Sequence, residues 1–377
     1  MSNTAKWIIA VVVIILIIAG VYYYGAKPTV PAETGPIKIG VATVLTGDIA
    51  IWGQSGLAGV QLATNEINDR GGIKGRKIEL VIEDSKGLAE GGVSAVNKLV
   101  NVDKVSALLI IDGSGVATAV APIAQSNKIP MIATIASAPP VTKAGNYIFR
   151  STPDDTAQGK FAADFMFDQL GKKKIAVLYV TNAWGAGIEG VFKKEFLTRG
   201  GQIAYESGVA EKDADLKGEI IKVKNSKAEA LYFPLYPDSA IVGLKQAKEL
   251  KLNIPVVEGD AIDGNDILKN PVAEGLIYTL AKIGSSDEFV AKLNSLAGFE
   301  NLKPNIAAPT SYDGAKILFT AIEKAGTVEG SKVAGELLKT SYQGVSNPLI
   351  EFTDGREIKD PVFNVKQIKN GQVVDYK

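Results

Sequence analysis

The sequence predicts an α/β protein made of two doubly wound parallel sheets. Apolar strands alternate with helices along the chain beyond residue 36, and residues 37–84 contain a strand, a turn, a long helix and a second strand. A crossover helix between two hydrophobic strands forms a βαβ unit, so the two strands are expected to be parallel. With 377 residues, the chain is long enough for two domains with full cores.

The first predicted βα series lies before residue 155. Strand 37–44 leads through a turn at Gly47 into a helix at about 54–70, and Gly71-Gly72 form the turn to strand 77–83. A second pair, Gly91-Gly92, is also interpreted as a turn. The series continues with strand 105–111, helix 115–126, strand 129–135 and segment 147–150. This succession indicates a doubly wound architecture.

The second predicted series resembles the first, and the two join near residues 150–155. It comprises helix 155–169, strand 175–180, helix 187–199, strand 202–207, helix 215–224, strand 230–234, helix 238–250 and strand 255–258. The remaining predicted elements are helices 286–296, 310–325 and 332–340 and short strands 349–352, 361–368 and 373–376.

The N-terminal segment contains an apolar and aromatic run of 18 residues from Trp7 to Tyr24, preceded by Lys6. This length is about the minimum that crosses the hydrocarbon core of a bilayer. A cleaved signal peptide usually has a shorter apolar core followed by small residues, whereas three tyrosines end this run. Segment 1–26 is therefore predicted to be a transmembrane anchor, with a cleaved signal segment as the alternative. Segment 27–36 holds three prolines and is interpreted as an extended linker.

The composition excludes several classes of function. Lys and Arg together number 41, as do Asp and Glu, and this zero net charge does not favour nucleic-acid binding. The chain has no Cys and no His, which removes disulfides, thiolate nucleophiles, Ser-His-Asp triads and His- or Cys-based metal sites. Acid–base catalysis near neutral pH would need a strongly shifted Asp, Glu or Lys. We therefore predict no catalysis, no metal and no cofactor.

Four short motifs follow one another in the first predicted βαβ unit: Thr46-Gly47, Trp52-Gly53, Glu66-Ile67-Asn68 and the run Gly-Gly-Ile-Lys-Gly at 71–75. Their order and spacing resemble the branched-chain amino-acid-type (type I) periplasmic solute-binding proteins of ABC importers. The resemblance extends over nearly all of the chain beyond residue 36.

This resemblance implies two lobes joined by three hinge crossings, a geometry that closes around a ligand. The implied crossings are 152–155, 282–284 and 353–355. Lobe 1 would comprise residues 37–153 with 284–353, and lobe 2 residues 154–283 with 354–377.

The resemblance also implies ligand-binding residues in lobe 1. A serine in the position of Ser114 contacts the ligand carboxylate in the family, and Ser114 opens the predicted helix 115–126. An N-cap role is the structural alternative, compatible with anion binding at a helix start. The loop Ile135, Ala136, Ser137 resembles a family loop that contacts both ligand charges, with Ser137 in the hydroxyl role.

Three residues of lobe 2 match family positions that close over the ligand. Trp184 matches an aromatic residue after a strand, and Tyr236 matches a tyrosine just past a central strand. Asp260 matches the carboxylate that receives the ligand ammonium group, with Glu258 as the competing candidate. In lobe 1, Trp52 matches an aromatic residue near the ligand side chain.

The run Gly185-Ala186-Gly187-Ile188-Glu189-Gly190 satisfies the dinucleotide-binding pattern G-x-G-x-x-G. Four residues separate it from the end of strand 175–180, whereas a dinucleotide site places its first glycine at the strand end. In the resembling family, this segment is a loop that covers the ligand. Gly113-Ser114-Gly115 is similar to a nucleophile turn, but no histidine is present for a triad.

These observations predict an extracytoplasmic solute-binding protein, anchored in the membrane, that delivers a Leu-, Ile- or Val-like amino acid to ABC permease subunits. A sensor or receptor of the same fold for amides, urea or aromatic acids is one alternative. A nucleotide-dependent enzyme acting through residues 185–190 is the other.

Overall fold

A computed structural model describes residues 3–25, 35–47, 49–263, 266–300, 302 and 304–377. Two compact units, Met1–Pro36 and Ile37–Lys377, make up the chain. The first contains helix α1 (Asn3–Gly25), and most of the predicted linker, residues 27–34, lies outside the described residues. Within the part of the chain that the structure describes, no helix combines the length and apolar character that a membrane crossing requires. That finding gives the predicted anchor no support.

The second unit begins with a regular βα series. Its elements are β1 (Ile37–Thr43), α2 (Ala50–Asp69), β2 (Ile78–Asp84), α3 (Ala89–Asn101), β3 (Ala107–Ile111), α4 (Ser114–Ser126), β4 (Met131–Ala133), α5 (Pro140–Lys143) and β5 (Ile148–Arg150). These five strands form one parallel sheet in the order β2-β1-β3-β4-β5. Strand β1 lies inside it, with Ile39 opposite both Leu80 and Ala107.

A second series supplies most of the other large sheet. Its elements are α6 (Asp155–Asp164), β6 (Lys174–Val180), α7 (Ala183–Thr198), β7 (Gln202–Val209), α8 (Lys217–Asn225), β8 (Ala230–Tyr232), α9 (Pro237–Glu249), β9 (Val256–Glu258) and β10 (Ile277–Ala281). A π-helical turn, Phe165–Gln169, continues α6, and two 3-10 turns, Asp266–Lys269 and Pro271–Ala273, precede β10.

The last part of the chain contributes to both sheets. It contains α10 (Asp287–Asn294), α11 (Ala307–Ala325), α12 (Gly330–Leu337), β11 (Ser341–Tyr342), β12 (Ile350–Glu351), β13 (Phe363–Lys369) and β14 (Gln372–Asp375). Helix α11 packs along α2, beside the first sheet. Strands β13 and β14 join the second sheet, whose order is β14-β13-β10-β9-β8-β6-β7. Because β13 pairs antiparallel with both β10 and β14, this sheet is mixed rather than wholly parallel as predicted.

Both sheets are buried on their two faces, as the doubly wound prediction requires. Along β3, Leu109 and Ile111 join a core with α2 and α11, whereas Leu108 and Ile110 join a core with α3 and α4. The same alternation occurs along β6 in the second sheet. Side chains of successive strand residues point to opposite faces, so a strand covered on both sides is apolar throughout.

Three segments connect the two sheets. The first, between β5 and α6, agrees with the predicted crossing at 152–155, and the second follows β10 near the predicted 282–284. The third lies later than predicted: Ile358 is buried in the core of the first sheet, so the chain leaves that core after residue 358 rather than at 353–355. Lys359 still donates its N–H to the Glu351 carbonyl (3.0 Å).

Two helix predictions were wrong for the same reason. Gly91-Gly92 lie inside α3 rather than in a turn, and α7 begins at Ala183 rather than 187. A Cβ atom on Gly91 would lie 2.0 Å from the Ser85 carbonyl oxygen. These glycines permit their helices to approach neighbouring backbone closely, and the helices continue through them.

Candidate functional site

A cavity lies where the strands of both sheets end. Its walls come from segments that follow β1, β3 and β4 of the first sheet and β6, β8 and β9 of the second. The lining residues are Ile49, Trp52, Gly113, Ser114, Ile135, Ser137, Trp184, Tyr236, Asp260 and Ala261. Ligands of open α/β sheets bind at the carboxyl ends of the strands, so this is the expected place for a site.

Ser114 lies at the start of α4 and is almost fully buried. The structure makes Gly113 the N-cap residue and Ser114 the first helical residue, so the N-cap interpretation of Ser114 was wrong. Its hydroxyl oxygen accepts a hydrogen bond from the Ala138 N–H (3.1 Å), which leaves the hydroxyl proton free to be donated. The first N–H groups of a helix have no intrahelical acceptor. This corner of the cavity therefore suits an anion.

The loop after β4 is held from behind by Arg150, whose side chain is fully buried at the end of β5. Its Nη1 donates to the Ala136 carbonyl (3.2 Å) and its Nη2 to the Ala138 carbonyl (2.9 Å). Ile135 and Ser137 line the cavity, whereas Ala136 does not. Ala136 was predicted to contact the ligand, but it does not lie on the cavity wall.

Two aromatic rings form the wall on the side of the second sheet. Trp184 and Tyr236 stack with centroids 5.4 Å apart and planes 6° from parallel. Trp184 lies in the first turn of α7 and Tyr236 is the N-cap residue of α9. Gly113 lies close to the Tyr236 hydroxyl, since a Cβ on Gly113 would be 3.6 Å from that oxygen. The two sheets therefore approach each other across the cavity.

Asp260, two residues after β9, presents the carboxyl group of the cavity. Burial raises its pKa to about 6, and the Gln158 side chain acts in the opposite direction. Glu258 does not line the cavity: it is fully buried, and its Oε1 accepts a hydrogen bond from the Leu235 N–H (2.7 Å). The geometry therefore places Asp260, and not Glu258, where a ligand would meet a carboxylate.

Trp52 and Ile49 reach the cavity from the start of α2. This helix begins at Ala50, earlier than the predicted 54, and it packs directly on the end of β1. A Cβ on Gly53 would lie 1.8 Å from the Val44 carbonyl oxygen, so only glycine permits this packing. The Trp52-Gly53 pair thus combines an aromatic cavity wall with a close backbone approach.

Ile49, Gly113 and Ala261 are cavity residues that the sequence prediction missed. Each lies within three residues of a predicted site residue, and that proximity was the available signal. A second cavity shares Ile49, Gly113 and Tyr236 with the first and also contacts Lys86, Asp112 and Glu211, among others.

The Gly185–Gly190 run does not form a phosphate-binding turn. All six residues lie inside α7, and Asn182 Oδ1 already accepts the Gly185 N–H (2.9 Å) as the helix cap. A Cβ on Gly185 would lie 2.1 Å from the Val180 carbonyl oxygen, which explains this glycine by packing. The loop expected from the family is thus a helix.

The charge pattern of the cavity is simple. Among its lining residues, Asp260 alone carries an ionisable carboxyl group, and none is Lys or Arg. The start of α4 and the Ser114 and Ser137 hydroxyl groups offer donors in the same cavity. Among the described residues there is no group of three or more acidic side chains arranged to hold a metal ion. The arrangement suits a molecule with one cationic and one anionic group on an apolar body.

A family model described as periplasmic binding protein matches residues 36–372. The chain is 27% identical to a Leu/Ile/Val-binding protein of Rhizobium johnstonii, over 91% of this chain and 90% of that protein. Its structure is similar to a leucine-binding protein from Thermotoga maritima, with a TM-score of 0.82 and 26% identity over 90% and 98% of the two chains. The substrate-binding protein LivJ of a Streptococcus pneumoniae branched-chain amino acid transporter, solved with isoleucine, gives a TM-score of 0.79 and 25% identity, over 90% and 97%.

Proposed function

Because the chain belongs to the periplasmic binding protein family, we propose that it is an extracytoplasmic solute-binding protein that captures a small amino acid with an apolar side chain. Leucine, isoleucine and valine are the first candidates. The relatives named for these amino acids support this choice. The proposal includes no catalytic step.

The single observation that carries the proposal is the pairing of Asp260 with the start of α4 in one cavity. An amino acid's ammonium group would bind at Asp260, where a carboxylate offsets the charge that loses water on enclosure. Its carboxylate would bind at the Ser114 hydroxyl and the first N–H groups of α4. The Ser137 hydroxyl would add a contact to either group.

The ligand side chain would lie against the aromatic and aliphatic walls. Trp52 and Ile49 supply one wall, and the stacked pair Trp184 and Tyr236 supplies the other. Aromatic side chains bury large apolar areas, so they favour an aliphatic ligand side chain over water.

Ligand contacts from both sheets would favour a closed arrangement of two lobes. A ligand shifts a conformational equilibrium by its difference in affinity for the two states, and residues on only one lobe would give no such difference. Ser114 and Asp260 belong to opposite sheets. The closed form would be the one that the ABC permease subunits recognise.

A sensor of aromatic acids is the alternative that the three aromatic cavity residues favour. Such a ligand carries a carboxylate and no ammonium group. It would leave Asp260 without a cation and place two negative charges in one enclosed site, which is unfavourable. The carboxyl group of Asp260 therefore favours the amino acid.

Substitution of Asp260 tests the proposal. Asp260→Asn keeps the side-chain shape and removes the charge. The loss of one member of a buried charged pair costs about 2–5 kcal/mol, or roughly 30- to 3,000-fold in affinity for leucine by titration calorimetry.

Glu258→Gln is the matched control, because it removes a neighbouring carboxyl group that does not line the cavity. It should change the affinity far less. Equal affinity of Asp260→Asn and the unmodified chain for leucine would show that the ammonium site is elsewhere.

The membrane attachment is a separate part of the proposal. It rests on the apolar sequence of residues 7–24 and on the helix Asn3–Gly25. A tethered receptor would hold its ligand near the permease, and the linker of residues 27–36 would set the reach.

A further inference from the structure

A second carboxyl group lies buried behind the cavity at Asp155, the first residue of α6. Its exposed fraction is 0 %. Its backbone N–H donates to the Ser137 carbonyl (2.9 Å), so α6 begins against the loop that lines the cavity. Neither Asp155 carboxyl oxygen has a hydrogen-bond partner of normal geometry among the described residues. A buried carboxylate without partners is costly, so the group favours its neutral form.

The titratable groups that face Asp155 are mostly acidic. They come from α6 itself, from β5, from β8 and from the segments after β8 and β9: Asp154, Arg150, Tyr232, Tyr236 and Asp260. Glu189, on the adjacent helix α7, acts on the same Tyr232 phenol. The phenolic oxygen of Tyr232 and the amide nitrogen of Gln158 also lack well-formed hydrogen bonds. Several buried polar groups near Asp155 therefore lack a well-formed hydrogen bond.

Arg150 is the cation of this group. Its Nη1 and Nη2 already donate to carbonyl groups, whereas its Nε has no hydrogen-bond partner among the described residues. Two of its nitrogens bind the Ala136 and Ala138 carbonyls, and Nη2 lies 3.5 Å from Glu357 Oε1. Burial raises the pKa of Asp155 well above its usual range, and the negative charge of Asp260 raises this pKa further. The Ser137 hydroxyl and Arg150 oppose this shift without cancelling it.

Building on the proposed function, we propose that Asp155, buried behind the cavity wall, is neutral while the site is empty, and that capture of an ammonium group at Asp260 releases its proton. The O–H bond of Asp155 breaks, the carboxylate remains, and the buffer takes up the proton. In the empty site, the negative charge of Asp260 opposes ionisation of Asp155. The positive charge of a bound ammonium group offsets the charge of Asp260, so Asp155 can then ionise. Binding and proton release are thus linked.

This linkage makes the site selective for a cationic group. An ammonium ligand gains attraction to two carboxylates, whereas a neutral amide ligand leaves Asp155 protonated. We therefore expect leucine to bind with proton release and a neutral amide, if one binds, to do so without it.

Titration calorimetry with leucine at pH 7.5, in buffers that differ in ionisation enthalpy, measures the number of protons released. The unmodified chain should release a measurable fraction of a proton per leucine, and Asp155→Asn should release none. Glu189→Gln is the control, since it removes a buried acid near Tyr232 that is not among the charged groups acting on Asp155, and it should keep the release. Leucine binding without proton release by the unmodified chain would overturn the proposal, as would equal release by Asp155→Asn.

Infrared spectroscopy tests the protonation of Asp155 without a ligand. In the unmodified chain carrying carbon-13-labelled aspartate, the stretch of a protonated aspartic acid should persist at pH 8, where Asp112 and Asp260, with pKa values of about 6, are ionised. The band should be absent from Asp155→Asn if that variant folds. Loss of the band from the unmodified chain at pH 8 would contradict the proposal. A band without leucine binding would instead contradict the proposed function.

Discussion

At the scale of single residues, Asp112 shows how burial sets the protonation of a carboxyl group beside the cavity. It follows β3 and is fully buried. Its Oδ1 accepts the Gly113 N–H (2.7 Å), and its Oδ2 pairs with the Ser85 hydroxyl. Burial raises the pKa of Asp112 to about 6, against the lowering effect of these two hydrogen bonds.

This shift predicts a loss of stability as the pH rises. A carboxyl group whose folded-state pKa is raised binds its proton more tightly in the folded state than in the unfolded state. Its contribution to the free energy of unfolding is therefore complete at low pH, and it is lost as the pH rises from about 4 to above 6. At ~1.4 kcal/mol per pKa unit, the contribution is about 3 kcal/mol. Asp112→Asn should therefore flatten the dependence of the unfolding free energy on pH between pH 4 and pH 7, measured by urea denaturation. An unchanged slope would mean that Asp112 is ionised throughout that range.

The resemblance to the family supplied the predicted site residues. Six of them, Ser114, Ile135, Ser137, Trp184, Tyr236 and Asp260, line the cavity, and each follows a strand, where the carboxyl ends of parallel strands meet at one edge of a sheet. Asp155 and Arg150 could not be found in this way. Burial of a charged side chain depends on which distant segments cover it, and no local pattern records that. The ligand contacts of the predicted residues stay predictions.

At the scale of elements, helix α7 offers a matched pair of glycines. A Cβ on Gly185 would meet the Val180 carbonyl oxygen at 2.1 Å, whereas Gly190 is exposed and has open space. Gly185→Ala should destabilise the fold by about 1–3 kcal/mol through overpacking. Gly190→Ala should stabilise it by about 0.5–1 kcal/mol, because alanine loses less backbone entropy in a helix. Equal effects on the urea midpoint would show that the run is not explained by packing.

Helix starts were the least predictable feature of the elements. Helices α2 and α7 begin about four residues earlier than predicted, and α3 was not recognised. Glycines near all three starts suggested turns. Their actual role depends on neighbouring carbonyl oxygens such as those of Val44 and Val180, which are contributed by other elements. Strand β10 was also missed, although all five of its residues are buried.

At the scale of the whole molecule, the order of elements predicted two βα series, and the resemblance to the family implied a chain that passes three times between two lobes. The third passage was placed too early, because Ile358 belongs to the core of the first sheet. Ile358 forms an antiparallel bridge with Phe352, which lies in the same core, and a single bridge leaves no periodic pattern in the sequence.

The proposed anchor gives a prediction for the full chain. A chain that starts at Gly35 should fold and remain in the soluble fraction, whereas the full chain should sediment with membranes if the apolar and aromatic run of residues 7–24 enters a bilayer as proposed. Fractionation followed by mass spectrometry of the native protein measures both. A mature N-terminus beyond residue 20 would show that the segment is cleaved and is not an anchor.

The central claim is that the cavity binds both charges of an amino acid, and a comparison of three ligands that share the leucine side chain tests it most directly. Titration calorimetry should show binding of leucine. The ligand without the ammonium group (4-methylpentanoate) and the ligand without the carboxylate (3-methylbutylamine) should each bind at least roughly 30-fold more weakly, since each leaves one enclosed charged or polar group unpaired. Binding of 4-methylpentanoate as tight as that of leucine would contradict the account, because Asp260 would then have no cation to receive.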